Sequence, residues 1–399
     1  MIRTALAATA LGFSMLGTVP ALAKTITVET GENAQERLQE ALILAEPGDV
    51  VALGEGRFDL TDGLSLDVNE VTVRGAGMDK SVLSFAGQLG AGEGLLVTSD
   101  DVVLRDFAVE DSKGDGIKSK GADRIVYHAI RVEWTGGPKA SNGAYGIYPV
   151  EASDILVQDS IVRGASDAGI YVGQSKNIIV RRNTAIENVA GIEIENSHDA
   201  EVTENLVTEN TGGILVFDLP NLPQMDGHNV LVARNAIINN NTGNFAPEGN
   251  IVASVPAGTG VMVMANRNVH VTDNAIINNG TANVMVVAYT EKFDDPKYDP
   301  TPRNVYVADN IHGRSGFAPD FEGGVQLAAA FGGALPAIIY DGLGSGMIVS
   351  DAVPVLGLGL TKAGQPVSEA QPSLYESAEG EATPLQPVVL PAAMEERLK

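Results

Sequence analysis

The sequence predicts an all-β chain: a single parallel β-helix with rungs of about 22 residues, closed at its start by a short helix. Three observations carry this. The pair Gly-Ile recurs at Gly169-Ile170, Gly191-Ile192 and Gly213-Ile214, one copy every 22 residues. After each of the first two pairs comes a second apolar strand ending in Val, with an Asn three residues on: Val180 with Asn183, Val202 with Asn205. Within each copy the apolar residues alternate, so Ile170 and Val172, Ile192 and Ile194, Ile214 and Val216 point one way. Such a copy is too short for two helices and too β-branched to favour them. Stacking copies roughly 4.8 Å apart buries an apolar face that no single rung could bury.

The elements follow in order. Arg3, the apolar run Thr4–Ala23 and the small residues of Ala21-Leu22-Ala23 read as an export signal over 1–23, with the mature chain starting near Lys24 and no membrane span after cleavage. The N-terminal cap and first rungs occupy 24–110. Asn33 and Glu36 read as a capping arrangement, and Leu38, Ala41, Leu42 and Ala45 share one helical face. Pro47-Gly48 ends this helix, which would plug the open end of the core. Strands are expected at 50–53, 71–73, 82–85, 95–97 and 102–104. The main rungs fill 111–345, with Gly-Ile also at 116 and 146. Residues 217–224, 241–259 and 292–300 are insertions at rung corners, placed where loops commonly wall a binding groove. Asn183, Asn205, Asn235, Asn274 and Asn310 form an inward column that takes left-handed dihedrals and bonds from rung to rung. The C-terminal segment is 346–399, and 362–399 reads as a partly disordered tail.

Composition narrows the partners. A net charge of −25 argues against nucleic acid, which needs a basic face. With no cysteine, disulfides and thiolate chemistry are excluded. The five histidines show no metal-ligand spacing, so no cofactor is expected; weak Ca²⁺ sites are what the acidity leaves open.

At these repeats the chain resembles right-handed parallel β-helix proteins of the pectin-lyase type, with carbohydrate-binding and sugar-hydrolase repeats, over roughly residues 30–345. It resembles closely a family of exported bacterial β-helix repeat proteins. The motif GDVVALGEGRFDL and the VTVRGAG stretch look like the N-terminal cap of that superfamily. The resemblance implies the fold, a periplasmic or secreted location, and a polysaccharide ligand. The alginate epimerase Asp-Pro-His-Asp signature, the polygalacturonase set and the pectate lyase Arg-x-Pro-x-x-Arg are absent. Asp115-Gly116-Ile117-Lys118 only loosely resembles a polygalacturonase strand.

Residues alternating with the inward ones should face solvent. That places Lys118, Lys120, Tyr148, Tyr171, Glu193 and Glu195 on one open face, continued by Leu215, Phe217, Met262 and Met264 as an apolar patch. Between Lys113 and Arg182 there are ten Lys/Arg against seven Asp/Glu, a local excess that favours an anionic ligand. Charges paired across rungs are the plainer alternative. Lys118 or Arg182 would neutralise a uronate carboxylate, and Tyr148, Tyr171 or His128 would take the adjacent proton. Lys120, Glu193, Glu195 and Trp134, the last in the loop after Glu133, would line the ligand. Glu193 and Glu195, roughly 6.6 Å apart along an extended strand, are the glycosidase alternative. The reading is an exported β-helix that binds or acts on an acidic polysaccharide, as a polyuronate lyase or C5-epimerase if catalytic. The alternative is a non-catalytic scaffold that holds glycan or a protein partner.

Overall fold

The computed structural model describes residues 23–377 and 380–398. The export signal expected at 1–23 lies, but for Ala23, outside the described residues. A typical rung contains three strands: Lys176–Arg181, Thr184–Ile186 and Ala190–Glu195. Their counterparts in successive rungs pair in parallel, giving three stacks, here called first, second and third in chain order. Only Val355–Gly357 with Ser373–Leu374 pairs antiparallel among the described strands.

Register is set by the inward residues. In the third stack Ile147, Ile170, Ile192, Ile214, Val261, Val284 and Ile338 lie one above the other, all fully buried. The helix Ala34–Leu44 closes the end of this core with Ala34, Leu38, Ala41 and Leu42. The expected capping pair does not form: Asn33 is itself left-handed and its side chain makes no cap bond. The early strands are Val50–Leu53, Thr72–Arg74, Ser81–Ser84, Leu95–Val97 and Val103–Glu110, within one residue of expectation at their starts.

The asparagine column is a continuous buried ladder. Asn183 Nδ2 donates to Asn205 Oδ1 (3.0 Å), Asn205 to Asn235 (2.9 Å), Asn235 to Asn274 (3.0 Å) and Asn274 to Asn310 (3.0 Å). The left-handed residue is not the Asn but the one before it: Arg182, Glu204, Arg234, Asp273 and Asp309. A non-glycine residue there costs about 1–2 kcal/mol, and the ladder bonds at each corner offset it. A second ladder, Asn188–Asn210–Asn240–Asn279, closes the next corner.

The tail departs from the expected disorder. Residues 380–398 run back along the outside of the first stack, where Met394 is buried against Val103, Val126, Leu156 and Ile179. Glu395 pairs with Arg181 at 2.6 Å.

Asn205→Ala would leave Asn183, Asn235 and the Val180 carbonyl without their partner at one corner. The variant should lose ~2–4 kcal/mol of unfolding free energy. An unchanged urea midpoint would show that the ladder does not hold the rungs together.

Candidate functional site

The outward side of the third stack is open over its early rungs and covered from Tyr171 onward. Lys118 and Tyr148 are half-buried, whereas Tyr171, Glu193 and Glu195 are 4%, 1% and 7% exposed. The open face expected over all six residues is therefore corrected for these three. Leu215, Phe217, Met262 and Met264 are likewise buried, so the expected apolar docking patch does not exist. They pack with Val252 and Val255 of the 241–258 insertion, Tyr289 and Tyr298 of the 288–302 loop, and Ala328 of the helix Gly324–Ala330. Alternation along a strand fixes which side a residue faces. It says nothing about what an insertion later lays over that side.

Beneath this cover is a cluster of tyrosines and acids. The rings of Tyr145, Tyr148 and Tyr171 stand 4.5–4.9 Å apart. Tyr171 donates to Glu195 Oε1 at 2.6 Å. Its ring lies over Gly173, where any Cβ would collide with it, so the glycine makes room for this contact. Asn250 reaches in from the insertion to Asp167 Oδ2 (3.1 Å), while Asp167 Oδ1 has no partner among the described residues. Neither oxygen of Glu193 has one.

Burial decides the charge of these groups. It lifts Glu193 well above the usual carboxylate range, and Asp167 and Glu195 beside it add repulsion. Asp167 and Glu195 are raised by the same desolvation, although the Tyr171 hydroxyl draws Glu195 back in part. Asp218, at the edge of the cluster, is pushed to about 7 by burial, against the backbone N–H groups of Gly227 and Asp226. Glu193 is thus held protonated, while Asp167, Glu195 and Asp218, each raised to about 7, titrate near neutrality.

At its mouth lies an accessible trio. The Lys118 ammonium sits 4.9 Å from the centre of the Tyr148 ring, 3.2 Å from Glu93 and 3.7 Å from Asp115. Desolvation raises Asp115 to about 6, against the pull of Lys118 and the Tyr145 N–H. Burial and the neighbouring acids, Asp115 foremost, hold Tyr148 at about 12, so it stays a phenol.

The structure brings together Lys118, Tyr148, Tyr171, Glu193 and Glu195. Lys120 stands at the surface, 3.2 Å from Glu151. His128 and Arg182 are on the first stack, away from this face. There Arg182 pairs with Asp159 at 2.8 Å, and His128 lies 3.4 Å from the same carboxylate and 3.1 Å from Gln158. These are charges paired across rungs, the plainer of the two alternatives. Trp134 is buried in the main core and donates to the Ser112 carbonyl at 2.8 Å, so it is no open loop residue. Tyr145, Asp115 and Asp167 were missed as site residues. Their signal was position: Asp115 and Tyr145 stand one residue, and Asp167 two, before a Gly of the repeat, where the chain turns onto the third stack.

Fold and site define the class: a parallel β-helix with an acid and tyrosine cluster on one sheet. Residues 68–222 match the family described as "right handed beta helix region". Two solved structures are similar. One is the A-module of mannuronan C-5 epimerase AlgE4 from Azotobacter vinelandii, with TM-score 0.51 and 14% identity over 81% of this chain and 92% of that one. The other is an alginate lyase from Paenibacillus sp. str. FPU-7, with TM-score 0.52 and 18% identity over 73% and 97%. No curated protein matches the chain by sequence. The chain has the right-handed parallel β-helix fold.

Glu193→Gln tests the protonated state. As pH rises above the ordinary value of 4.5, the unfolded chain releases the Glu193 proton while the folded chain retains it. Wild-type stability therefore falls with rising pH, and the neutral amide escapes that loss. The melting temperatures should nearly coincide at about pH 4, with the variant the more stable by about pH 8. A constant difference across that range would mean that Glu193 is ionised in the fold.

Proposed function

We propose that this chain is an exported protein that binds an acidic polysaccharide across the open rungs of the third stack and eliminates across a uronate there. The observation that carries the reading is the Lys118 ammonium on the face of Tyr148 with Asp115 beside it, at the point where the covered face opens. Lys118 would neutralise the uronate carboxylate and so acidify the adjacent C–H. Asp115, ionised above about 6, would accept that proton, a value well matched to a base working near neutrality. Tyr148, kept as a phenol, would donate to the leaving glycosidic oxygen. Base and acid both rise from the sheet floor, so elimination on one face of the sugar is favoured over inversion at C5. Glu193, kept protonated by burial, would not repel an anionic chain. Export is supported by the leader-like stretch, and no helix among the described residues is long and apolar enough to cross a membrane.

A second reading is binding without turnover. It is favoured by the closure of Tyr171, Glu193 and Glu195, which leaves only the mouth of the cluster to a glycan.

The test is turnover of polyuronates, starting with alginate and mannuronan, the polymers named for the two similar structures. Ultraviolet absorbance reads new double bonds and proton NMR reads inverted C5 centres. Lys118→Ala and Tyr148→Phe should each lower kcat/KM by ~10²-fold or more. In the wild type, kcat/KM should rise as pH climbs through about 6, when Asp115 becomes ionised. Bound polymer with no product would leave the binding reading standing and end the catalytic one.

A further inference from the structure

The corner between the third and first stacks carries a column of basic residues. Lys176, His198, His228, Arg267 and Arg303 occupy one register position in five consecutive rungs. At strand spacing they span roughly 19 Å along the axis. The rings of His198 and His228 stack at 4.2 Å. Lys176, Arg267 and Arg303 carry charge at neutral pH, whereas burial lowers the affinity of His198 for a proton.

The upper half of the column already shows what it takes. Arg267 grips Asp226 with two bonds of 2.7 Å each, and Arg303 reaches the same carboxylate at 3.3 Å and also pairs with Asp299. Neither acid belongs to the column; both are carried in by loops, Asp226 from 218–227 and Asp299 from 288–302. They are carboxylates laid against a basic ladder from outside. Lower down, His198 Nε2 meets the Met225 carbonyl of the Asp226 loop at 3.1 Å, and only Lys176 lacks such a partner. The Lys176 ammonium is exposed and has no ion pair among the described residues. It borders a cleft of about 310 Å³ that Ser153, Gln174 and Gln224 also line. Hydroxyls and amides of this kind suit sugar hydroxyls.

We infer that this corner is a second glycan track, a binding site for a carboxylate-bearing polysaccharide lying along the helix axis with its chain end at Lys176. The rung height is close to the length of one pyranose in an extended chain, so successive sugars meet successive basic residues. Arg267 and Arg303 offer planar forks matched to carboxylates, with the Asp226 loop as the group an incoming uronate displaces. The inference shares the polymer class of the proposed function but not its catalytic step.

The experiment is calorimetric binding of oligouronates of increasing length at low salt. Affinity should grow with each sugar up to about five, the number of rungs in the ladder, and fall as salt is raised. Lys176→Glu, which breaks no side-chain bond in the structure, should weaken binding by about tenfold or more with the melting temperature unchanged. In Lys176→Glu, kcat at saturating polymer should stay within about twofold of wild type, which separates this track from the catalytic group. Unaltered affinity in Lys176→Glu would overturn the inference, as would equal binding of neutral oligosaccharides or an affinity that stops growing after one sugar. Absence of turnover in the wild type, with the length dependence intact, would end the catalytic reading alone.

Discussion

Every part of this molecule answers to the hydrogen-bonded spacing between rungs. Parallel pairing holds each strand roughly 4.8 Å from the next, so a residue that points inward must sit on its counterpart above and below. Ile170, Ile192 and Ile214 satisfy this with like on like. The corners satisfy it differently. A turn leaves backbone groups that cannot pair within the sheet, and a buried one without a partner is costly. Asn183 takes the Val157 carbonyl and its neighbour's amide oxygen together. Extra chain can therefore leave only at a corner, between ladder positions, and all the insertions do so.

That rule explains the acid cluster. Glu193 and Glu195 occupy outward positions of an ordinary rung, where carboxylates would normally be hydrated. Insertions leaving the later corners fold back over them and bring Val252, Val255 and Asn250 with them. Enclosed without a cation among them, the acids are all shifted toward their protonated forms, Glu193 the furthest. Lys118, three rungs earlier, lies beyond the reach of the cover and remains a charged, half-open group. The contrast between enclosed acids and an accessible ammonium thus arises from where the loops end.

The same geometry decides what could be read from the sequence. Inward columns were legible because stacking forces identical residue types at a fixed interval. The second ladder runs at the same steps of 22, 30 and 39 residues as the first, but Ala185, Val207, Ile237 and Ile276 stand three before its asparagines, so it lacks the constant Val that marked the first. Lys118, Tyr148, Tyr171, Glu193 and Glu195 were legible as a column, since register follows from the repeat. Their burial was not, because it depends on loops whose paths no periodicity encodes. Trp134 looked like a loop residue by its neighbours Gly136, Gly137 and Pro138, yet its indole turns back into the core and finds the Ser112 carbonyl. Short-range composition cannot show such a return.

The tail makes the opposite point about outward positions. Thr72, Val103, Val126, Leu156, Ile179, Glu201, Leu231 and His270 form one outward column of the first stack. Four consecutive apolar residues on an outer sheet face would be a liability if left bare. Residues 383–397 cover that column from top to bottom: the Thr383 carbonyl meets His270 at 2.9 Å, the Val388 N–H meets Glu201 at 2.9 Å, Met394 fills the apolar stretch, and Arg397 meets Thr72 at 3.2 Å. Read alone, Val388, Leu390, Met394 and Leu398 are scattered apolar residues in a Pro- and Glu-rich segment. Set against the column, they are its complement. With the first stack covered by the tail and the later third stack by insertions, the early third stack and the Lys176 corner stay open.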